Sequence, residues 1–258
     1  MNNVAKNVKK EKTTPFRHLS YIQINKYNMR IIIASCIFLL FAPLPVQSQQ
    51  TLNMPLQHEL DSILKLDQRY REALSIYSDK TADSLAAAYH VSKENVSSYL
   101  WQLQTKADSS NLLRIREIIQ QYGYPGKTLV DSPANESACM VIQHSNVIDQ
   151  FLALIKTAAE QKELPFHLYA MMLDRSLMYN GKPQVYGTQG KGFQALDSVT
   201  GKKSFQLIIW PVQEAATVNE RRKAAGFKDT IEANAKRLGI TYTPLTIEQV
   251  HKMQGKKE

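Results

Sequence analysis

The sequence predicts a mainly helical α+β fold: a multi-helix domain with a small antiparallel hairpin or meander near residues 184–212. Three observations carry that prediction. Apolar residues recur at helical spacing over most of residues 54–179. Short β-type runs replace that spacing between residues 184 and 212, and helical spacing returns after residue 218. With 258 residues, 43% of them hydrophobic, the chain is long enough to bury a real core. Ordinary counts of 10 glycines and 10 prolines exclude a fibrous or mainly disordered chain.

Ahead of the helices lies an apolar run at residues 31–42 (IIIASCIFLLFA), preceded by Arg30 and ended by Pro43 and Pro45. A bilayer-spanning helix needs ~20 apolar residues. The run is shorter than that and has the layout of a cleavable signal peptide. Cleavage is expected between Ser48 and Gln49, with an extended n-region before the signal, or with Met29 as the start. The other readings are a mitochondrial presequence and a lipoprotein box at Ile33-Ala34-Ser35-Cys36. The compact apolar core and its proline end favour export over the first. The box has most of its apolar core after the cysteine, which disfavours the second. The mature chain is expected to be periplasmic or secreted, with no stable transmembrane helix, and to form one domain over residues 51–258.

The net charge is +9, from 32 Lys and Arg against 23 Asp and Glu. Residues 1–48 carry seven of the basic side chains and one acid, so the remainder is 25 against 22, net +3. That leaves no electrostatic case for a nucleic-acid partner. Of two cysteines only Cys139 follows residue 48, which excludes an internal disulfide in the mature chain. Its neighbours Ala138, Met140, Val141 and Ile142 mark it as core.

Leu56, Leu60, Ile63, Tyr70, Leu74 and Tyr77 mark an amphipathic helix over residues 54–78. Asp67 occupies a slot in its apolar stripe, with Arg71 one turn on. The pair reads as a structural ion pair at the stripe's edge; the alternative is a carboxylate aimed inward at a polar site. A second helix is expected over 81–105, irregular near Val91-Ser92. A third runs through Leu112, Ile115, Ile119 and Tyr122 and is stopped by Gly123 and Pro125. Ser132-Pro133 opens a helix over 133–145, and others follow over 147–162 and 165–179. Asp174 sits in the apolar stripe of the last, and a buried carboxylate must be paired or hydrogen-bonded.

Residues 184–189, 193–196 and 205–212 are the β-type runs. The last (FQLIIWPV) is apolar on both faces and is expected beneath helices. Helices over 218–225, 229–238 and 246–253 complete the chain.

Several polar motifs stand in a fixed order. They are Asp67-Gln68 with Arg71, Asp108 with Asn111-Leu112 and Ile115, Gly123-Tyr124-Pro125-Gly126-Lys127, Gln143-His144 and Leu173-Asp174-Arg175. Residues 181–189 (GKPQVYGTQ) and 218–222 (VNERR) with Gly226 follow. In these the chain resembles a bacterial family of unknown function, DUF6624, over about residues 67–227. The Tyr-Gly-Thr-Gln core is a fairly specific match, whereas Asp-Arg or Arg-Arg alone would carry no weight. One departure is at Gln213-Glu214, where the family resemblance leads one to expect an acid soon after Pro211: it is either shifted to Glu214 or lost. The resemblance implies that the polar motifs belong together, and it brings no known activity.

His144 and Asp174 are the candidate catalytic residues, as a general base and its orienter. Gln143, Arg175, Gln184, Tyr186, Gln189, Arg221 and Arg222 are the candidate ligand-binding residues. Arg175 would clamp an anion, and Tyr186 and Gln189 would donate to substrate or oxyanion. No cofactor is expected. A metal is not expected either, since His-x-x-x-His, His-Glu-x-x-His and paired cysteines are all missing. There is no Gly-x-Ser-x-Gly elbow, and the GYPGK turn lacks the strand and Gly-Lys-Ser/Thr of a phosphate loop. Two functions fit: a metal-free acid–base hydrolase or lyase acting on envelope material, or a binding or structural domain whose polar residues form a buried network.

Overall fold

The computed structural model describes residues 51–196 and 200–255. The expected signal segment lies outside the described residues. Within them the chain forms ten α-helices and a two-stranded antiparallel sheet. No helix among the described residues is long and apolar enough to cross a membrane.

Helix α1 (Met54–Ser75) starts at Asn53, whose side chain accepts from the Leu56 amide at 3.1 Å. Helix α2 (Ala82–Tyr89) ends where His90 turns left-handed, φ 55°. Helix α3 is one unbroken rod of 27 residues, Val96–Tyr122. The expected break near 105–112 therefore falls at 90–95 instead. The polar stretch in α3 stays helical in part because its serines are satisfied locally: Ser109 Oγ donates to Thr105 O at 2.9 Å and Ser110 Oγ to Ala107 O at 3.1 Å.

A short helix α4 (Lys127–Val130) and a 3₁₀ turn (Ala134–Glu136) lead into α5 (Ser137–Gln143), α6 (Ile148–Glu160) and α7 (Phe166–Tyr179). Leu60, Ile115, Ile142, Ile155 and Met172, each 0% exposed, form the main core where α1, α3, α5, α6 and α7 meet. Cys139 is buried in it, and burial pushes its thiol up to about 12. The Gly123–Lys127 turn docks on the loop between α6 and α7. Lys127 N donates to Glu163 O at 3.0 Å, and Thr128 binds the Glu163 carboxylate through its amide and hydroxyl at 2.8 and 2.9 Å.

Strands β1 (Gly190–Leu196) and β2 (Lys203–Ile209) pair from Gly190↔Ile209 to Leu196↔Lys203. Residues 184–189 are not a strand; they form a loop tied by one isolated parallel bridge, Gln184↔Val212, to the segment that follows β2. The 205–212 run is only half covered: Ile209 and Trp210 are buried, while Phe205 is 65% exposed. The end of the chain also covers Leu196 at the far end, where a Cβ on Gly255 would come within 3.0 Å of its side chain, but it leaves Phe205 open. The Phe205 ring lies across Gly192, where a Cβ would come within 2.5 Å of it. Trp210 donates its Nε1–H to Lys182 O at 2.9 Å and carries Lys191 Nζ 4.6 Å from its ring centre.

A 3₁₀ turn (Ala215–Thr217), α8 (Val218–Ala224), α9 (Ile231–Arg237) and α10 (Ile247–Met253) complete the chain. Val218, Ile231 and Ala235 pack with Ile209 in one small core, and Met178, Trp210 and Val250 in another.

Candidate functional site

The apolar stripe of α1 runs Leu56, Leu60, Ile63 and then Asp67, which is 0% exposed. The matching stripe of α3 runs Val96, Leu100, Gln104, Ala107, Asn111, Ile115, with two amides in its middle. The two polar interruptions meet. Asn111 Nδ2 donates to Ile63 O and Gln104 Nε2 to Asp67 O, both at 3.3 Å. Gln104 Nε2 also reaches Asp108 Oδ1 at 2.7 Å, and Arg71 joins that same oxygen at 2.5 Å.

His144, the residue that ends α5, closes this centre. Its Nδ1 lies 3.1 Å from Asp67 Oδ2 and 3.3 Å from Oδ1. Gln68 Nε2 donates to Asp67 Oδ2 at 2.6 Å, and Arg71 stands 3.6 Å from Oδ1. Burial alone would push the Asp67 carboxyl up. The hydrogen bond and charge of His144, then Arg71, outweigh it and hold the group below the ordinary carboxylate range. An ionised carboxylate only accepts, so Nδ1 carries the hydrogen, and in the neutral form of the ring the lone pair is on Nε2. Nε2 has no hydrogen-bond partner among the described residues.

Arg175 on α7 forms the second half. Its Nε donates to Gln189 Oε1 at 3.0 Å and its NH1 to Gln143 O at 3.1 Å. Both partners are neutral, and no carboxylate pairs with Arg175 among the described residues. Burial, with the like charge of Arg71 adding to it, pulls this guanidinium below its ordinary value. Arg71 Nε and Gln143 Oε1 are buried without a partner among the described residues. The centre thus joins a carboxylate-oriented imidazole to a cation with unused donors.

Asp174 sits elsewhere. Its carboxylate, 0% exposed, accepts from the backbone amides of Val185, Tyr186 and Thr188 at 2.8, 3.0 and 2.9 Å. It makes no hydrogen bond to His144, so the carboxylate that orients His144 is Asp67, not the expected Asp174. Burial pushes the Asp174 carboxyl up, against the pull of those amides.

Gln184 is likewise spent on backbone. It accepts from Gln189 N at 2.7 Å and donates to Gln189 O and Trp210 O at 3.0 and 2.8 Å. Arg221 holds Val185 O at 3.0 Å, Thr217 Oγ1 at 2.7 Å and Gln213 O. Arg222, 1% exposed, holds Tyr186 O and Asp229 O at 2.9 and 3.0 Å and the Asp229 carboxylate at 2.6 Å. Tyr186 packs against Phe227, ring centres 6.0 Å apart. Gly187 lies so close to α9 that a Cβ would come within 2.2 Å of Ile231, at a φ of 66° that favours glycine.

Of the expected binding residues, the structure thus brings Arg175, Gln189 and Gln143 beside the His144 centre. Gln184, Arg221 and Arg222 shape the 183–189 loop instead. Asp67 and Arg71, read as an ion pair, take part in the centre itself. Asp108 and Gln104 were given no role from sequence, although the two amides within the α3 stripe were the available signal. Among the described residues no group of three or more His, Cys, Asp or Glu side chains is placed to hold a metal ion.

Residues 82–243 match the family of unknown function DUF6624, and the chain belongs to that family. Asp67 and Arg71 lie before the matched segment. Neither the curated proteins nor the solved structures yield a match.

Proposed function

We propose that this member of the DUF6624 family is an exported acid–base enzyme, a metal-free hydrolase or lyase acting on polar envelope material. His144 is the base, Asp67 its orienter and Arg175 the anion clamp. The observation that carries the reading is the contact of His144 Nδ1 with buried Asp67 at 3.1 Å, with Nε2 left without a hydrogen-bond partner among the described residues. In that arrangement Nε2 takes a proton from a water, or from a carbon beside a carboxyl group, while Asp67 stabilises the imidazolium that forms. Arg175 and the spare Nε–H of Arg71 face the negative charge that develops. Gln189 fixes Arg175. The signal-peptide layout of residues 29–48 supports export, to the periplasm or beyond.

A second reading is a binding or structural domain. The Asp174 clasp favours it, because there the same residue types serve only to hold a loop.

Turnover of a panel of peptidoglycan and other envelope fragments by the wild type and His144→Gln decides between them. The enzyme reading expects a loss of ~10²–10⁴-fold in rate, with the melting temperature little changed. If the panel shows no turnover and His144→Gln destabilises the fold as strongly as Asp174→Asn, the domain is a structural or binding one.

A further inference from the structure

A cavity of about 160 Å³ lies between α7, the 183–189 loop, α8 and α9. Its polar wall is His167, Thr188, Arg222, Asp229, Asn234 and Arg237, and Met171 and Phe227 supply the apolar side. A water takes ~30 Å³, so the space holds about five. Sites for drug-sized ligands run to ~300–1,000 Å³. The occupant is therefore small.

Most of the wall is fixed and already neutral. Arg222, Asn234 and Thr188 are 1%, 3% and 8% exposed. Arg222 pairs with the Asp229 carboxylate at 2.6 Å, which cancels both charges. Asn234 donates to Gly187 O at 3.0 Å and accepts from Arg237 at 2.6 Å, which orients that guanidinium along the rim. The uncommitted capacity is of one kind. Arg237 has no carboxylate partner among the described residues, and its only hydrogen bond is the one to Asn234. His167 makes no hydrogen bond among them; its ring meets Phe227 edge-on, centres 5.9 Å apart. Two donors that lack acceptors, around a cavity with one unbalanced positive charge, call for an acceptor that is negative.

We propose that this cavity binds a small oxyanion, a carboxylate or a phosphate group, held by Arg237 and His167, with Met171 and Phe227 packing any short apolar body attached to it. Guanidinium and imidazole donors together match the paired oxygens of such a group. No residue of this wall hydrogen-bonds to Asp67 or His144, so the site stands apart from the acid–base reading, and each can fail without the other.

The test is titration of the full chain with sodium acetate and, separately, inorganic phosphate, with sodium chloride holding ionic strength constant. The imidazole C–H signals of His167 are followed by NMR and assigned through His167→Gln. Saturable movement with either anion, above the chloride control, is expected. Saturation by acetate alone identifies a carboxylate ligand, and by phosphate alone a phosphate-bearing one. Arg237 is exposed at the end of α9, so Arg237→Gln should melt like the wild type while binding ~10-fold or more weakly. His167→Gln, read by calorimetry, should weaken binding as well. Absence of a saturable response to both anions, or undiminished binding in either variant, overturns the proposal.

Discussion

Asp67 and Asp174 are both fully buried aspartates on apolar helix faces, yet their surroundings differ in kind. Asp174 meets the amides of Val185, Tyr186 and Thr188. Asp67 meets side chains: His144, Gln68 and Arg71. Backbone amides neither exchange charge nor turn towards a ligand, so what surrounds Asp174 is architecture, a clasp on the 183–189 loop. The partners of Asp67 have far ends of their own, His144 Nε2 among them, and those ends are where a ligand or a proton can be met. The position of the partners' unused atoms is what separates the two buried charges, and on the acid–base reading it is what lets one of them serve chemistry.

The comparison breaks or sharpens at four places. Asp174→Ala has the largest expected effect. It strips three amides, one buried and two half-buried, of their acceptor, each costing ~1–3 kcal/mol, and a melting scan should fall by about 6 °C or more at roughly 2–4 °C per kcal/mol. Gly187→Ala comes next, since the new Cβ meets both Ile231 and an unfavourable φ. A loss of about 2 kcal/mol in denaturant unfolding is expected, and a neutral result would mean that the loop is free to shift. His144→Gln should cost only about 1 kcal/mol by the same measurement, because Asp67 keeps Gln68 and Arg71. A cost equal to that of Asp174→Ala would erase the distinction between the two centres.

The smallest effect is in pH dependence, where the two aspartates have opposite signs. The lowered Asp67 group contributes stability that is present above the ordinary carboxylate value of ~3.9 and is lost as pH falls through its folded value. The raised Asp174 group does the reverse: its contribution is present below ~3.9 and is lost as pH rises through its folded value. Unfolding profiles from pH 2 to 7 should therefore show a shallower acid limb in Asp67→Asn than in the wild type. An unchanged limb would show that Asp67 is not held ionised by His144.

Helical spacing made most elements legible, because a stripe at 3.6 residues per turn is written in side chains alone. Helices α6 to α10 and the hairpin fall within a few residues of their expected places. The joining of 96–122 into one helix was not legible, since the polar run Asp108, Ser109, Ser110 and Asn111 interrupts the apolar spacing. The inward partners of Asp108 and Asn111, Arg71 and the Ile63 carbonyl, belong to another helix. The exposed Phe205 face was missed for a related reason: residue type alone does not tell how far the covering helices reach.

The centre was half legible. Asp67 and Asp174 stood out as acids within apolar stripes. Which one faces His144 was invisible, because Asp67 and His144 lie 77 positions apart and no local spacing couples them. The clasp was hidden more deeply, for its donors are backbone amides that every sequence contains.

Burial of Trp210 at the foot of the hairpin has an optical consequence. The chain has two tryptophans, and the other, Trp101, is 55% exposed on α3 against 3% for Trp210. One indole should emit to the blue and resist iodide, the other to the red and be readily quenched. In Trp101→Phe the remaining emission comes from the residue whose carbonyl Gln184 holds. That single chromophore turns loosening of the loop into a change of colour, readable without a substrate.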